Sequence, residues 1–465
     1  MSSYSQYKIG LVDADLLAGG TRHPNLLLLK LAGFLNDNNI RFHLITDPEA
    51  SIDEYDFIYM SKVFSFTPTP LLYENAGKQK SKFVLGGTGF YMTINGIKRF
   101  SQERISDISR LEQDPFLNSL NNHRSNDRKF GIDLANQMPY YKLYDDYIAK
   151  RVKGGKRESY FDDYKLYSIG FLTRGCIRHC PFCVNKLESE VRTYSKLESF
   201  LDNERDEKGQ LVRPYIYLWD DNFLAAPRQV WEPLLHELMK SNRPFQFRQG
   251  LDERIFAESE DGELIAELLS KCKYKGDFIF AFDNWRDRDK IEKALKIWKK
   301  YNPYKSTKFY LFCGFKQTKS NYDAFYKDIW ELFQRIKILM IYGCLGYVMR
   351  HEDYHNSPLE NLYVQIARWC NQPQFYKKMS FWEFVYRNQS YWEEKSLGVV
   401  NQPHIISYED YVCREKNGYY LNVKKCRPLQ TVEKVLAMYP EHKQELLEMF
   451  NYKMLELENA NMWNL

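Results

Sequence analysis

The sequence lacks any long apolar segment. Its most hydrophobic stretch, NLLLLKLAGFL at residues 25–35, is short and contains Lys30, so it is unable to span a bilayer as a helix. The first residues, MSSYSQYKIG, lack the apolar core of a signal peptide. These two absences predict a cytoplasmic protein that has no membrane association.

Cysteine is sparse and unevenly placed. The nine cysteines are an odd number scattered over 465 residues, unlike the dense, even set of a secreted disulfide scaffold. A reducing compartment keeps such cysteines as thiols, so a tight group among them indicates a metal site. The net charge of +5 is small for this length, and it permits an anionic partner without requiring one.

Short apolar runs alternate with amphipathic segments through the middle of the chain, as in parallel-sheet proteins. We expect six strands, at YSIGFLT (167–173), PYIYLW (214–219), PFQFRQ (244–249), DFIFAF (277–282), KFYLFC (308–313) and ILMIYG (338–343). The segments between them have apolar residues at helical spacing. Right-handed crossovers would close these units into a full or partial barrel over residues 165–355, with its chemistry at the carboxyl ends of the strands.

The remaining chain predicts two further regions around this α/β domain. Residues 1–100 alternate in the same way and predict a small doubly wound domain. Its turn GGTGFY (86–91) either approaches a ligand or is a tight strand exit. Residues 101–164 are polar and rich in turns, which indicates a connector. Residues 356–465 consist of aromatic, helix-prone segments, which predict a mainly helical C-terminal extension.

The connector ends in a basic run, KRVKGGKRE, around two glycines. Its cations are Lys150, Arg151, Lys153, Lys156 and Arg157. Two interpretations are open, a solvated loop or a set of contacts to the phosphates of a nucleic acid substrate.

Polar side chains follow the predicted strands, where a barrel would bring them to one mouth. They are Cys176, Asp220, Asp221, Asp252, Arg254, Asp283 and Arg350. Carboxylates in such positions also cap helices, so each one has a structural alternative.

Three cysteines lie within eight residues of the stretch GFLTRGCIRHCPFCVNK. Cys176, Cys180 and Cys183 are spaced CxxxCxxC, and three thiolates can hold three irons of a four-iron cluster while the fourth iron stays open. An open metal position is typical of catalytic sites. The alternatives are a zinc site, which needs a fourth ligand such as His179, and a redox-active disulfide pair.

The CxxxCxxC motif, with aromatic Phe182 directly before its last cysteine, resembles the signature of the radical S-adenosylmethionine superfamily. LWDDNF, QGLDER, FIFAFD and FYLFCGF resemble the successive strand ends of members with a cobalamin-binding-like N-terminal domain. HPNLLLLKLAGFL and GGTGFY resemble that domain itself, and YVMRHEDY with IARWCN resembles a poorly characterised bacterial and phage branch. The similarity extends to about residue 380.

The resemblance implies a partial (β/α)6 radical SAM barrel, preceded by the cobalamin-binding-like domain. It implies that Cys176, Cys180 and Cys183 ligate a 4Fe-4S cluster and that Phe182 packs near the adenine of S-adenosylmethionine. The reduced cluster would pass an electron to the sulfonium, methionine would leave, and a 5′-deoxyadenosyl radical would abstract hydrogen from a substrate. A flavodoxin or ferredoxin would supply the electron. The substrate is not specified, and a nucleotide, nucleic acid, peptide or small metabolite is compatible.

The resemblance also implies binding roles for residues at the strand ends. Asp220 or Asp221 would receive the methionine ammonium, since a carboxylate suits a cation in a partly dry pocket. Arg254 would bind the methionine carboxylate, and Asp283 would bind the ribose hydroxyls. The backbone around Cys313 and Gly314 would line the adenine. No catalytic residue is implied.

The sequence departs from the family in its N-terminal domain. The lower-axial histidine motif DxHxxG is replaced by DADLLAGG, with Asp15 in the position of the histidine, which argues against bound cobalamin. His23, before a proline at a helix start, is expected to be structural. Cys370, Cys413 and Cys426 are expected to be small hydrophobes, with ligation of an auxiliary cluster as the alternative.

Two other functions remain open. One is a cobalamin-dependent radical SAM methyltransferase, and the other is a non-catalytic iron-sulfur binding or electron-transfer protein. The series of polar strand ends favours the enzyme, because a non-catalytic protein has no need for an incomplete ligand set beside carboxylates and an arginine.

Overall fold

The computed structural model describes residues 7–64, 66–94, 97–100, 114, 117, 132–183, 185, 189–398 and 405–462. These residues form a mixed α/β structure with parallel sheets and a helical C-terminal region. The chain forms two compact units, residues 1–246 and 247–465. Within the described ranges, no helix combines the length and the apolar character needed to cross a membrane.

The first unit begins with a sheet of four parallel strands in the order β2-β1-β3-β4. They are β1 (Lys8–Asp13), β2 (Arg41–Leu44), β3 (Phe57–Ser61) and β4 (Phe83–Gly86). The helices beside them are α1 (Ala14–Gly19), α2 (Leu26–Asp37) and α3 (Leu71–Glu74), and an antiparallel pair follows, β5 (Tyr91–Ile94) and β6 (Ile97–Phe100). This strand order confirms the prediction of a parallel α/β sheet in this region.

The segment predicted as a connector supplies part of the core of this first sheet. Leu134, Tyr144 and Tyr164 are buried together with the apolar face of α2. The described part of the segment contains α4 (Asp145–Lys153), a 3-10 turn (Glu158–Phe161) and α5 (Asp162–Lys165), and most of residues 101–131 lies outside the described residues. Residues 132–164 are therefore packed against the N-terminal sheet and its helices.

A second parallel sheet completes the first unit, in the order β11-β10-β7. Its strands are β7 (Tyr167–Gly170), β10 (Tyr215–Leu218) and β11 (Phe245–Phe247), and α6 (Arg228–Lys240) precedes β11. A short antiparallel pair, β8 (Thr173–Arg174) and β9 (Arg192–Thr193), encloses the cysteine stretch. The first three predicted barrel strands are thus confirmed as strands.

The second unit contains a parallel sheet in the order β12-β13-β14 and the helical C-terminal region. The strands are β12 (Phe278–Ala281), β13 (Thr307–Cys313) and β14 (Leu345–Arg350). The helices before β14 are α7 (Arg254–Glu258), α8 (Gly262–Lys271), α9 (Arg288–Tyr301) and α10 (Tyr322–Ile341). The later helices are α11 (Glu360–Cys370), α12 (Pro373–Tyr376), α13 (Phe381–Leu397), α14 (Tyr408–Lys416), α15 (Arg427–Met438), α16 (Lys443–Phe450) and α17 (Met454–Met462).

The prediction of the sixth strand at ILMIYG (338–343) is wrong. This run continues α10 to Ile341, because its apolar side chains extend the buried stripe of that helix. The chain then turns at Gly343, whose φ of +63° suits glycine. The strand is the next segment, LGYVMR, whose exposed Tyr347 and Met349 interrupt the apolar pattern.

Asp13 is a buried acid at the carboxyl end of β1, with 2 % exposure. Its carboxylate accepts hydrogen bonds from the Leu16 amide at 3.1 Å and from the Tyr144 hydroxyl at 2.8 Å. Burial outweighs these bonds and raises the pKa of Asp13 from its ordinary 3.8 to about 7.

We expect Asp13→Asn to change how stability depends on pH. The folded protein holds the Asp13 proton more tightly than the unfolded chain does. This contribution is therefore complete below about pH 4 and is lost as the pH rises to about 7. The asparagine variant keeps the cap oxygen without titrating. Its stability relative to wild type should rise over this range by on the order of 2–4 kcal/mol, measured by urea denaturation. A difference that stays constant with pH would contradict this account.

Candidate functional site

The cysteine loop follows β7 and is held at its start by a glycine. Gly175 has a φ of +106°, and a Cβ atom at this position would lie 2.1 Å from the carbonyl oxygen of Glu190. Only glycine can therefore bring the two arms of the loop this close together. Phe182 lies in the turn between Cys180 and Cys183, whose amide donates a 3.0 Å hydrogen bond to the Cys180 carbonyl.

Nitrogen donors point at the sulfur atoms of this loop. The Cys176 sulfur accepts hydrogen bonds from the Arg178 amide at 3.3 Å and from Asn222 Nδ2 at 3.4 Å. The Cys183 sulfur accepts one from the Asn185 amide at 3.5 Å. Such bonds stabilise negative charge on sulfur, the state in which cysteine binds metals.

The donor set of the loop fits a four-iron cluster with one open position. Cys176, Cys180 and Cys183 are all partly exposed, whereas five of the other six cysteines are buried. Among the described residues, no three His, Cys, Asp or Glu side chains are grouped closely enough to coordinate one metal ion. The three cysteines of such a cluster instead bind three different irons.

Asp220 fastens the beginning of the cysteine loop to the end of β10. Its carboxylate accepts hydrogen bonds from the Leu172 amide at 3.2 Å, the Thr173 amide at 2.6 Å and the Thr173 hydroxyl at 2.7 Å. It is 1 % exposed, and burial raises its pKa to about 6 despite these bonds. Because both oxygens already have partners, Asp220 positions the loop.

Asp221 is the more accessible of the two carboxylates predicted to receive the ammonium group. Its Oδ2 accepts a hydrogen bond from the Gly175 amide and lies 3.0 Å from Arg174 Nε. Both of these contacts are made through Oδ2. Asp221 therefore combines a hold on the loop with an oxygen that a ligand can use.

Asn222 is a site residue that the sequence did not single out. It follows Asp221 directly, is 4 % exposed, and reaches the Cys176 sulfur across 46 residues of chain. The one indication of this role in the sequence is that Asn222 lies in LWDDNF, directly after a predicted strand. An asparagine in that position is equally compatible with an ordinary turn.

The second unit places Arg254 in a double ion pair. Its Nε lies 2.7 Å from Asp252, and its other end lies 3.2 Å from Asp287. The Arg254 side chain is 15 % exposed, and the two carboxylates already compensate the charge of its guanidinium. Arg254 thus joins the loop after β11 to the loop after β12.

Asp283 follows β12 and is partly buried, and burial raises its pKa to about 6. Its backbone is held by Arg335, a buried arginine of α10 that the sequence did not single out. Arg335 Nη1 donates hydrogen bonds to the carbonyls of Phe282 at 2.7 Å, Asp283 at 3.1 Å and Phe312 at 3.0 Å. One side chain therefore fixes the carboxyl ends of β12 and β13.

Gly314 follows β13 in a position that excludes larger residues. Its φ is +77°, and an added Cβ would lie 2.7 Å from Tyr354. The Gly314 amide donates a 2.7 Å hydrogen bond to Asp328, which also accepts one from the Tyr363 hydroxyl. A ligand at this position could therefore contact the Gly314 backbone, but the amide hydrogen is already donated to Asp328.

Glu253 is a further buried acid in this unit that sequence reasoning missed. It is 1 % exposed, and neither carboxylate oxygen has a hydrogen-bond partner among the described residues. Burial, with the charge of Asp252, raises its pKa well above the ordinary value. Burial therefore favours the protonated form of this carboxyl group.

Asp15, which the resemblance places where cobalamin-binding domains have a histidine, is hydrogen-bonded within the first unit. Its carboxylate accepts hydrogen bonds from the Val63 amide at 2.6 Å, the Phe64 amide at 3.3 Å and the Thr67 hydroxyl at 2.5 Å. It is 5 % exposed. These contacts occupy the carboxylate, so the residue does not fit the role of a lower ligand for cobalamin.

The GGTGFY turn packs against the loop that Asp15 holds. A Cβ at Gly87 would lie 2.2 Å from the Lys62 carbonyl oxygen, and one at Gly89 would lie 2.7 Å from that of Phe64. The Gly89 amide donates to the Lys62 carbonyl at 2.8 Å. The glycines thus serve a tight strand exit, and the side chain of Tyr91 lies outside the described residues.

Five of the other six cysteines are buried, as expected for small hydrophobes, and the expectation is wrong for Cys413. Cys272 and Cys426 donate to the carbonyls of Leu268 and Val385 at 3.3 and 3.9 Å. Burial raises the pKa of Cys272 to about 12 and that of Cys426 to about 11. Such thiols are poor metal ligands, and Cys413 is exposed.

No model of a known protein family matches the sequence, and no curated protein matches it either. The cysteine loop and the side chains that hold it are therefore the basis for a functional hypothesis.

Proposed function

We propose that the protein is a radical SAM enzyme that holds a four-iron cluster on Cys176, Cys180 and Cys183. The observation that carries the proposal is the loop itself, with three partly exposed thiols in the loop that follows the parallel strand β7 and the short strand β8, and with N–H donors aimed at two of the sulfurs. The proposed surrounding fold is the partial (β/α)6 barrel predicted from the sequence.

When bound, such a cluster supplies an electron to the sulfonium of S-adenosylmethionine, which yields methionine and a 5′-deoxyadenosyl radical that takes a hydrogen atom from a substrate. Asp221 Oδ1 is our candidate for the methionine ammonium, while Asp220 keeps the backbone before Cys176 in place. The Asn222 amide stabilises negative charge on the Cys176 sulfur, which eases reduction of a bound cluster.

The roles proposed in the second unit rest on the resemblance. Asp283 would contact the ribose hydroxyls, and the Gly314 backbone would contact the adenine. In the first unit, the resemblance assigns Phe182 a place near the adenine. Arg254 has the weakest support, because a methionine carboxylate would compete with Asp252 and Asp287 for its guanidinium. A flavodoxin or ferredoxin in the cytoplasm is the proposed electron donor.

The test is anaerobic reconstitution with iron and sulfide, followed by reduction with dithionite. We expect one four-iron cluster per chain and formation of equal amounts of 5′-deoxyadenosine and methionine from S-adenosylmethionine. Tetrahedral zinc without a cluster spectrum would overturn the proposal. A cluster that leaves S-adenosylmethionine intact would favour the non-catalytic alternative.

Addition of cobalamin tests the remaining alternative, a cobalamin-dependent methyltransferase. Because Asp15 is occupied by the loop after β3, we expect no corrinoid to co-purify and no change in the rate of cleavage. Stoichiometric corrinoid that survives gel filtration would favour the methyltransferase.

A further inference from the structure

The first unit contains a cleft of about 590 Å³ that the proposed cluster chemistry does not use. It is lined by the loop before α2, the turn after α4, the 3-10 turn and the start of β7. Its volume falls within the range of small-molecule sites, roughly 300–1,000 Å³. Two residues of the basic run, Lys156 and Arg157, line it.

Three exposed cations face this cleft, and two of them lie close to the same aromatic ring. The Arg22 guanidinium lies 5.6 Å from the centre of the Tyr160 ring, and Lys156 Nζ lies 4.2 Å from it. Neither they nor Arg157 form an ion pair with a carboxylate in the described part of the chain. Like charges gathered in this way repel one another, and an anion between them relieves the repulsion.

The two acids of the cleft leave this positive charge largely uncompensated. Asp163 is engaged elsewhere, since it lies 2.7 Å from His23 Nδ1 and accepts a 3.1 Å hydrogen bond from the Tyr217 hydroxyl. His23 is thus structural, as expected. Asp162 is exposed at the rim, where its carboxylate suits a sugar hydroxyl.

We propose that this cleft binds the phosphate groups of a nucleotide, either free or within a nucleic acid strand. The two arginines offer forked donors that match phosphate oxygens, and Lys156 adds a point charge. Gly155, with a φ of +90° and no atom within 4 Å of an added Cβ, lets a ligand approach the backbone closely. A nucleotide also supplies the hydroxyls that Asp162 can bind, which inorganic phosphate does not.

The structure divides the basic run into two groups. Lys156 and Arg157 line the cleft, whereas Lys150, Arg151 and Lys153 lie in the last turn of α4. Cations there interact favourably with the partial negative charge at the end of the helix. This division provides a matched control, because removing two charges from either group changes the net charge equally.

The experiment measures binding of ATP by calorimetry and of a fluorescein-labelled single-stranded RNA by anisotropy, with the full-length protein. We expect binding of at least one probe, weakening with salt. Lys156→Ala with Arg157→Ala should weaken it at least about tenfold, as expected for two lost charge-assisted contacts. Lys150→Ala with Lys153→Ala should change it less than about twofold. ATP alone would indicate a free nucleotide, and RNA alone would indicate a strand.

Absence of binding for both probes at low salt would overturn the proposal, as would equal losses in the two double variants. Thermal melts that match wild type show that the variants fold. The proposal does not rest on the radical chemistry, because both double variants should retain the iron content and the S-adenosylmethionine cleavage of wild type.

Discussion

Protein with Cys176, Cys180 and Cys183 all replaced by alanine is expected to hold no iron after anaerobic reconstitution and to form no 5′-deoxyadenosine. The loop supplies every thiol of the proposed site, so its removal leaves no ligand at the end of β7. Iron and sulfide analysis, the absorption spectrum of the cluster and chromatography of the products measure the effect. Each single variant should lose nearly as much activity, because residues that act as a unit are not additive.

The matched control is Cys413→Ala, which removes an exposed cysteine from α14. We expect it to keep the iron content and the cleavage rate of wild type. A loss of iron in this variant would support the auxiliary cluster considered for the C-terminal cysteines. Residual cleavage in the triple variant would show that the loop is not the site.

Arg335→Met is expected to destabilise the second unit by about 3–5 kcal/mol, because it leaves three carbonyls at the ends of β12 and β13 without their buried donor. Methionine keeps the packing of the stem, so the loss reports the hydrogen bonds. Urea denaturation followed by tryptophan fluorescence and circular dichroism measures the change. In the proposed enzyme, the affinity for S-adenosylmethionine should also fall, since Asp283 loses its anchor.

Lys327→Met is the control on the same helix. Lys327 has a side chain that is 75 % exposed and lies 3.9 Å from Glu331, so its loss should change stability by less than about 0.5 kcal/mol. Equal stability of the two variants would mean that the contacts of Arg335 contribute nothing beyond packing.

Five of the six strands could be predicted because each is a short apolar run bounded by turn residues. The sixth failed because residues 338–343 are apolar on every side, and such a run is equally compatible with the buried end of a helix. The strand that exists, LGYVMR, has exposed side chains at alternate positions near its end, which weakened its signal.

The positions of the polar residues after the strands could be predicted from the sequence, whereas their hydrogen-bond partners could not. Asp220 bonds to Thr173 across 47 residues, and that pairing exists only because β7 and β10 are neighbours. The sequence contains one indication of the role of Arg335, which is that a charged residue lies on the apolar face of its helix between Leu332 and Leu339. Sequence periodicity shows that such a residue is buried, but the carbonyls that it meets depend on the tertiary fold.

The ladder of β8 and β9 brings the two ends of the cysteine loop into hydrogen-bonded register, with Thr173 opposite Thr193 and Arg174 opposite Arg192. The cost of closing a loop grows only slowly with its length, so residues can be gained or lost after Cys183 without moving β7. The part of the loop after Cys183 can therefore vary in length between fixed ends. The whole loop could be transplanted to a scaffold that has the same two strand ends, β8 and β9, and aspartates equivalent to Asp220 and Asp221, which bind the start of the loop.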